Sequence, residues 1–341
     1  TGRLPKHRYA LQPEIFEHCQ AIGHRYGLYG RAMFRTSLAG LNWDDTEQRW
    51  KAVTLNGDSI SARQVVLACG RQSLPKLPGI PGIRTFKGKT FHSARWDYDY
   101  TGGDSTGGLT KLRDKTVAII GTGATAIQIV PHLGEWAKDL YVFQRTPSSV
   151  GVRANREIDP AFAAGQAPGW QRQRMNDFTQ FMANDQRERD PIADGWTEFA
   201  RILTETTPEK LEDRLGRTPT AEELGLAAEI ADFTVMNQLR GRIDGLISDP
   251  ATAERLKPWY RWACKRPCFH DEYLQTFNRA NVHLVDTAGQ GVERFTPTGV
   301  VVDGTTYDVD CVIFATGFEA GISYTHLTGF EIHGRSGLSL S

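Results

Sequence analysis

The sequence predicts an α/β fold with a parallel sheet, and three observations lead to this prediction. The apolar run Thr116–Ile120 is followed at once by a glycine-rich turn and by apolar residues at helical spacing over 127–133. Another apolar run at 140–143 completes a strand–helix–strand unit, in which the two strands are parallel. Short β segments are then predicted to return at 282–285, 299–302 and 309–314.

Length and composition limit the class of protein. A chain of 341 residues is expected to form two domains, or three, because a domain usually has about 100–200 residues. Lysine plus arginine and aspartate plus glutamate both number 40, so the formal net charge is zero, which argues against nucleic acid or an anionic membrane as a partner. No stretch approaches the ~18 apolar residues of a membrane-spanning helix. The 34 glycines indicate tight turns or backbone that lies close to a ligand.

The five cysteines indicate a reducing compartment. They are odd in number and scattered, which argues against a disulfide scaffold and predicts a cytoplasmic protein. The C-x-x-x-C spacing of Cys264 and Cys268 fits neither a dithiol reductase nor a complete zinc set, so no metal is expected. Because the chain begins at Thr1 without a methionine and stops at Ser341, we expect a fragment or a processed form.

Local patterns before residue 116 predict further elements. A helix is expected over 12–27, and a hairpin over 50–62 that turns at Asn56-Gly57-Asp58. The apolar run 64–70 is typical of a buried strand. Proline and glycine are dense in 71–115, which predicts turns instead of regular elements, together with a domain boundary.

The polar segment 155–247 differs from the apolar strands around it. It is rich in arginine, glutamine and acidic residues, and its apolar residues recur at helical spacing. This pattern predicts a mainly helical insertion.

The turn after Thr116–Ile120 has the pattern of a dinucleotide-binding site. Its first glycine allows the tight turn, its second lets the backbone approach a diphosphate, and a small third residue permits close packing of helix on sheet. The N–H groups at the start of the helix then face the diphosphate. The alternative is a tight turn without a ligand. The predicted cofactor-binding residues of this turn are Gly121, Thr122, Gly123, Ala124, Thr125 and Ala126.

The residues at the end of the next strand indicate which dinucleotide binds. A site for NAD usually carries an acidic residue there, about 20 residues beyond the turn, which accepts a hydrogen bond from the ribose 2′-hydroxyl. This chain has Gln144-Arg145-Thr146 instead. The guanidinium of Arg145 cannot accept a hydrogen bond but can pair with a 2′-phosphate, and the hydroxyl of Thr146 can add another donor. The sequence therefore predicts NADP(H), and the alternative is a solvated surface arginine.

A second motif lies at 86–97, where the residues spell F-x-G-x-x-x-H-x-x-x-W-D. In this motif the chain resembles the Baeyer–Villiger monooxygenases, a branch of the class B flavoprotein monooxygenases and similar to the flavin-containing monooxygenases. The resemblance covers essentially the whole chain, including Gly121–Ala126, 143–147, Lys265-Arg266-Pro267 and 315–318. It implies a linker between two nucleotide domains that couples domain movement to turnover, with the fingerprint residues Phe86, Gly88, His92, Trp96 and Asp97.

The resemblance implies two Rossmann-like dinucleotide-binding domains, one for FAD and one for NADP. The NADP domain, expected at 111–304 with its helical insertion, would be inserted into the FAD domain. Residues 1–110 would hold a remnant of the FAD domain and the linker, and 305–341 its return segment. The family's first G-x-G-x-x-G, which binds FAD, does not precede residue 70 here, and the family's C-terminal part does not follow Ser341. We therefore expect an incomplete FAD domain and a chain that is inactive alone.

Arg266 is the candidate catalytic residue. By resemblance, the arginine of the Lys-Arg-Pro motif keeps a fixed positive charge beside the oxygenated flavin, since a guanidinium is always charged. Lys265 would face the 2′-phosphate of NADP beside Arg145. Taken from the residues alone, Lys265 and Arg266 are better explained as an ordinary surface basic pair.

The implied reaction uses NADPH, FAD and O₂ to insert one oxygen atom next to a ketone carbonyl, which gives an ester or a lactone. The flavin carries the oxidation chemistry, while the protein supplies position and charge. The expected partners are a small-molecule ketone and O₂. The alternatives are an N- or S-oxygenating flavin-containing monooxygenase, which acts on a soft nucleophile, and a non-catalytic NADP-binding fragment.

Overall fold

The structure is a computed structural model that describes residues 3–70, 72–183, 190 and 192–340. Within these residues the chain forms a mixed α/β fold. The helices are α1 (Gln12–Arg25), α2 (Tyr98–Thr101), α3 (Ala126–Trp136), α4 (Pro160–Ala164), α5 (Trp170–Met182), α6 (Gly195–Thr204), α7 (Pro208–Leu215), α8 (Ala221–Leu246), α9 (Pro250–Leu256), α10 (Tyr273–Thr276) and α11 (Tyr324–Thr328). The strands are β1 (Leu38–Asp44), β2 (Arg49–Thr54), β3 (Ser59–Ala62), β4 (Lys89–His92), β5 (Thr116–Ile120), β6 (Asp139–Gln144), β7 (Val150–Gly151), β8 (Cys268–Phe269), β9 (Val282–Asp286), β10 (Arg294–Phe295), β11 (Gly299–Val302), β12 (Thr305–Asp308), β13 (Cys311–Phe314) and β14 (Ile332–His333).

Some residues of the predicted segments lie outside the described part of the chain. They are Thr1, Gly2 and Ser341 at the ends of the predicted FAD-domain segments, Arg71 in the predicted connector, and 184–189 and 191 in the predicted helical insertion.

The larger of two compact units consists of Arg3–Glu14 and Gly79–Ala315. Its centre is a sheet of five parallel strands in the order β4, β13, β5, β6, β9. Helix α3 connects the neighbouring parallel strands β5 and β6, which confirms the predicted strand–helix–strand unit. The sheet is therefore parallel and Rossmann-like.

The central strand β5 is buried on both faces. Val117 and Ile119 belong to a core cluster with Val130 of α3. Ala118 belongs to a second cluster with Val300 of β11, in the antiparallel sheet β10–β11–β12. Since side chains alternate between the two faces of a strand, burial of both faces explains why β5 is a continuous apolar run.

A short parallel pair links two distant parts of this unit. Val150 of β7 pairs with Cys268 of β8, and Gly151 pairs with Phe269. Strand β7 follows the predicted cofactor-selecting residue Arg145, and β8 follows the Lys265-Arg266-Pro267 motif. The pairing therefore brings the segments after these two motifs together.

Helices α4–α9 lie in the chain between β7 and β8. The longest, α8, begins at a capping box: the N–H of Glu223 donates to Thr220 Oγ1 at 3.2 Å, and the N–H of Thr220 donates to Glu223 Oε2 at 2.8 Å. Among the described residues, no helix is long and apolar enough to cross a membrane.

The smaller unit holds the described residues of 15–78 and 316–340. Its sheet has the order β14, β1, β2, β3; β1, β2 and β3 are antiparallel neighbours and β14 is parallel to β1. The β2–β3 hairpin and helix α1 confirm two local predictions, and Gly57 in the hairpin turn has the left-handed φ of 89° that favours glycine.

Two local predictions were wrong. The run 64–70 is not a strand, and Val66 is 88% exposed. A buried strand needs hydrogen-bonded neighbours, and no strand of the described residues pairs with this run. The segment 71–115 is not composed of turns alone, because it contains β4, which pairs with β13 at the edge of the parallel sheet. A strand of four residues is too short to give a clear pattern beside so many prolines and glycines.

Candidate cofactor site and reaction cavity

The glycine turn lies between β5 and α3 at the carboxyl end of the parallel sheet. Gly121 has φ 109°, and its N–H donates to the carbonyl of Phe143 at 3.1 Å. A Cβ added at Gly123 would meet nothing within 4 Å, so the protein itself does not require glycine there. The open space is what a ligand close to the backbone needs. Ala126 is fully buried, which leaves no room for a larger third residue.

The two threonines of the turn have different surroundings. Thr122 is buried, its hydroxyl donates to the carbonyl of Thr146 at 3.0 Å, and its own carbonyl accepts from the hydroxyl of Ser148 at 2.6 Å. It therefore fixes the turn to the segment after β6. Thr125 occupies the N-cap position of α3 without a side-chain capping bond. The N–H groups of Ile127 and Gln128 donate to the carbonyls of Gly123 and Thr125 at 3.1 and 3.2 Å, so a diphosphate at this turn would bind the N–H groups that precede Ile127.

Arg145 and Lys265 are 120 positions apart in the sequence and close together in the fold. The pKa of Lys265 is lowered, first by partial burial and second by the positive charge of Arg145. Arg145 is exposed directly after β6. Within the described residues neither side chain forms an ion pair with a carboxylate. Two cations that repel each other without an acidic neighbour form a site suited to a group of high negative charge.

The ring of Tyr260 contacts Lys265, one of these two cations. The ammonium of Lys265 lies 5.4 Å from the centroid of the Tyr260 ring. The hydroxyl of Tyr260 donates to the carbonyl of Pro147 at 3.0 Å and accepts from the N–H of Ser149 at 2.9 Å. One aromatic side chain thus joins the segment after β6 to the segment before β8.

Arg266 lines a cavity of about 770 Å³ in the larger unit. Its guanidinium lies 5.9 Å from the centroid of the Trp196 ring, and the Sγ of buried Cys268 donates to its carbonyl at 3.4 Å. Among the described residues, its side chain forms no ion pair, so its charge is available to a ligand. Other residues that line the cavity are Trp96, Arg153, His132 and His270.

The first fingerprint residues have packing roles. The rings of Phe86 and Phe295 meet edge to face, with centroids 5.8 Å apart. A Cβ added at Gly88 would come within 2.6 Å of the carbonyl oxygen of Asp310 and would overlap the ring of Phe86. Glycine at this position therefore lets the chain enter β4 close to the neighbouring backbone.

The remaining fingerprint residues fix the segment after β4. Buried His92 accepts a hydrogen bond at Nδ1 from the N–H of Ala94 at 3.1 Å. The ring of Trp96 packs edge to face on Phe91 at 5.3 Å, and Trp96 also lines the cavity. Asp97 caps α2 by accepting from the N–H of Tyr100 at 2.9 Å, and it forms an ion pair with Lys89 at 2.5 Å. Only Trp96 of this set reaches the cavity of Arg266.

Comparisons with known proteins agree with this arrangement. The sequence model of the flavin-binding monooxygenase-like family matches residues 7–161. Pentalenolactone D synthase from Streptomyces exfoliatus is 54% identical over 100% of this chain and 58% of its own length. A Baeyer–Villiger monooxygenase from Streptomyces coelicolor is 48% identical over 100% of this chain and 56% of its own length. Over its whole length the chain is thus similar to Baeyer–Villiger monooxygenases. The solved polycyclic ketone monooxygenase from Thermothelomyces thermophila matches 99% of this chain and 56% of its own, with 40% identity and a TM-score of 0.86.

The resemblance predicted from the fingerprint is thus confirmed. The chain spans little more than half the length of these relatives, with 58% of the first. Within its described residues no group of three or more His, Cys, Asp or Glu side chains could hold a metal ion.

Three residues of the candidate site were not predicted from the sequence. Tyr260 and Trp196 lie against Lys265 and Arg266, and Thr101 binds the indole of Trp96. For Tyr260, the short distance in sequence to the Lys-Arg-Pro motif was a weak signal. Trp196 reaches Arg266 through a tertiary contact, and Thr101 lies only five residues after Trp96, but the sequence carried no pattern for either contact.

Proposed function

We propose that this protein is a Baeyer–Villiger monooxygenase that uses NADPH, FAD and O₂ to oxygenate a small-molecule ketone to an ester or lactone. The observation that carries the proposal is that two consecutive residues, Lys265 and Arg266, contribute to two different sites. Lys265 lies beside Arg145 at the end of β6, and Arg266 lines the cavity that Trp96 of the fingerprint also lines. One dipeptide therefore connects recognition of the cofactor to the place where a ketone would react.

The described residues fit NADP. The open space at Gly123 and the N–H groups that precede Ile127 at the start of α3 would receive the diphosphate. Arg145 and Lys265 would bind the 2′-phosphate, because a dianion relieves the repulsion between two cations that lack acidic partners. Thr122 would act indirectly, by fixing the turn to Thr146.

FAD enters the proposal through the flavin-binding family. Within the described residues, the strand–glycine turn–helix at Gly121 is the only one, so they do not by themselves form a second dinucleotide site. We therefore assign the smaller unit to part of the FAD domain and the larger unit to the NADP domain, with α4–α9 as its helical insertion. The borders of the compact units, after Pro78 and after Ala315, support this division. The chain by itself is not expected to turn over.

Arg266 has a defined task in this reaction. When bound, the flavin and NADPH supply the redox chemistry. The guanidinium of Arg266 keeps its charge at any working pH and can donate two hydrogen bonds to an oxygen of the substrate that gains negative charge. The aromatic rings of Trp96 and Trp196 line this cavity, where they would help to exclude water around a bound substrate and so strengthen this interaction. All five cysteines are free, which supports the proposed cytoplasmic location.

The test uses the full-length protein with NADPH, a cyclic ketone and an aryl sulfide. We expect a yellow flavoprotein that forms a lactone from the ketone, and an Arg266→Ala variant that forms none. Arg261→Ala is the matched control, because Arg261 is an exposed neighbour that pairs with Glu229; it should keep lactone formation. A sulfoxide without lactone would indicate an N/S-oxygenase. NADPH binding without any flavin would leave only an NADP-binding protein.

A further inference from the structure

A second cavity, of about 490 Å³, adjoins the reaction cavity, which is the one that Arg266 lines. Its apolar wall includes Val152 after β7 and both Val235 and Leu239 of α8. Among the described residues, those that line both cavities are Arg153, Pro267, Cys268 and Phe269. These shared residues therefore form the wall between the two spaces.

The ring of Phe269 contacts residues of each cavity that the other cavity lacks. Its centroid lies 5.1 Å from that of the Trp196 ring, and Trp196 lines only the reaction cavity. The ring also lies against Gly151 of β7 and Gly195 at the start of α6, which line only the second cavity. The ring is therefore placed as a partition between the two cavities.

Two glycines leave the room that this ring occupies. A Cβ added at Gly151 would lie 2.9 Å from Cδ1 of Phe269, and a Cβ added at Gly195 would lie 2.7 Å from the same atom. Neither glycine has a left-handed φ, so the backbone conformation does not require glycine at either position. The chain thus lacks side chains at the two places where they would displace the ring.

The other parts of the shared wall are fixed by the fold. Cys268 pairs with Val150 across β7 and β8, and its N–H donates to the carbonyl of Ser149 at 3.0 Å. The guanidinium carbon of Arg153 lies 3.8 Å from the centroid of the Tyr9 ring. The side chain of Phe269 is therefore the part of the wall that a substitution can remove without changing the strand pairing.

The reaction cavity has to hold more than the ketone. Ala124, Ile127 and Gln128 at the start of α3 also line it, and the diphosphate of NADP would bind there. The cofactor would therefore take part of its volume of about 770 Å³. The second cavity lies within the roughly 300–1,000 Å³ of ordinary ligand pockets, so it could receive the far end of a large ketone if the partition were open.

We propose that Phe269 determines the size of the ketone that this protein accepts, because its ring closes the reaction cavity toward the second cavity and excludes extended fused-ring ketones. This inference rests on the proposed function, since it assumes that a ketone reacts at Arg266. It goes further by assigning a limit on the substrate and the residue that sets it.

The experiment uses the full-length flavoprotein and three ketones, cyclohexanone, a two-ring decalone and a four-ring steroid ketone. The measured quantity is kcat/KM for each larger ketone divided by kcat/KM for cyclohexanone. Phe269→Ala should raise the ratio for the steroid roughly 10- to 100-fold, since even one methylene group in an apolar pocket changes kcat/KM by this order. Phe269→Leu keeps part of the side-chain volume and should raise the ratio less.

Gly195→Ala tests the same partition in the opposite direction. Its added Cβ would displace the ring of Phe269 away from the second cavity and into the reaction cavity, so the ratio for the decalone should fall. This variant decides the matter if Phe269→Ala does not fold. An unchanged ratio in Gly195→Ala would then overturn the inference.

Leu239→Ala is the matched control, because Leu239 lines only the second cavity and its loss enlarges that cavity without opening the wall; it should keep the wild-type ratios. Equal changes for all three ketones in Phe269→Ala would show a structural role and overturn the inference. So would an equal rise in Leu239→Ala, or a change confined to the KM for NADPH, which would assign Phe269 to the cofactor. If the wild type oxygenates no ketone at all, the proposed function itself fails.

Discussion

The indole N–H of Trp96 donates a hydrogen bond of 3.0 Å to the hydroxyl of Thr101, which is fully buried. The same hydroxyl is within 3.1 Å of the carbonyl of Asp97 and 2.9 Å of the carbonyl of Gly102, so its own hydrogen also has acceptors. Because Trp96 lines the cavity with Arg266, this buried threonine positions a fingerprint ring at the wall of that cavity. The contact joins a residue within the family motif to one outside it.

Thr101→Val should destabilise the protein and loosen Trp96. Valine has nearly the same shape but leaves the indole N–H without its acceptor, and an unsatisfied buried donor costs about 1–3 kcal/mol. Thermal unfolding of this chain measures the loss, and the NMR signal of the Trp96 indole N–H should broaden or shift. Thr101→Ser keeps the hydroxyl and should retain most of the stability. Equal losses for valine and serine would show that the methyl group matters and the hydrogen bond does not.

Two glycines of the site should respond to alanine in opposite ways. Gly88→Ala places a Cβ 2.6 Å from the carbonyl of Asp310, so the unfolding free energy should fall by about 1–3 kcal/mol or more. Gly123→Ala meets nothing within 4 Å, so the folded chain should keep its stability. If NADP binds there, the added methyl group should weaken NADPH binding. Calorimetric unfolding and an NADPH titration of both variants separate these effects, and normal NADPH affinity in Gly123→Ala would contradict a diphosphate at this turn.

Local patterns predicted the parts of the fold that local physics determines. The β5 turn and α3 follow from an apolar run, glycines and helical spacing within one stretch, and the structure has all three. The run 64–70 has the same apolar character but lacks neighbours in the described chain, because strand formation depends on partners that a pattern cannot show. In the site, Arg145 lies where its position after the second strand indicated. The bonds of Tyr260 to Pro147 and Ser149 join segments far apart in the sequence, so no spacing rule could find them. Thr101 is only five residues from Trp96, but their bond depends on side-chain positions that no sequence pattern specifies.

Arg145→Ala should weaken NADPH binding much more than NADH binding. Only NADPH carries the 2′-phosphate, and losing a charge-assisted contact to it should cost roughly 10- to 100-fold in affinity. Lys265→Ala should show the same selectivity, because the charge of Arg145 contributes to the lowered pKa of Lys265 and a phosphate would interact with both cations. Titration of this chain with both nucleotides provides the measurement, and Arg255→Ala, on α9 and outside the pair, is a control that should leave the ratio unchanged. Equal losses for NADPH and NADH would remove the assignment of these residues to the 2′-phosphate.

Asp97→Asn isolates the charge of the last fingerprint residue, because asparagine can still cap α2. The hydrogen bond from Lys89 lowers the pKa of Asp97, and the partner carboxylate raises the pKa of Lys89. A lowered carboxyl pKa adds stability above the unfolded value of about 3.9, and this contribution disappears as the pH falls through the folded pKa. The raised lysine pKa adds stability below about 10.4, which is lost as the pH rises through the folded value. The melting temperature of the variant should therefore fall below that of the wild type between these limits, and the two should converge in strong acid.

Lys89→Gln in the Asp97→Asn background should cause little further loss, since the ion pair is already absent. A difference in melting temperature that stays constant down to strong acid would show that the carboxylate acts through the cap and not through its charge.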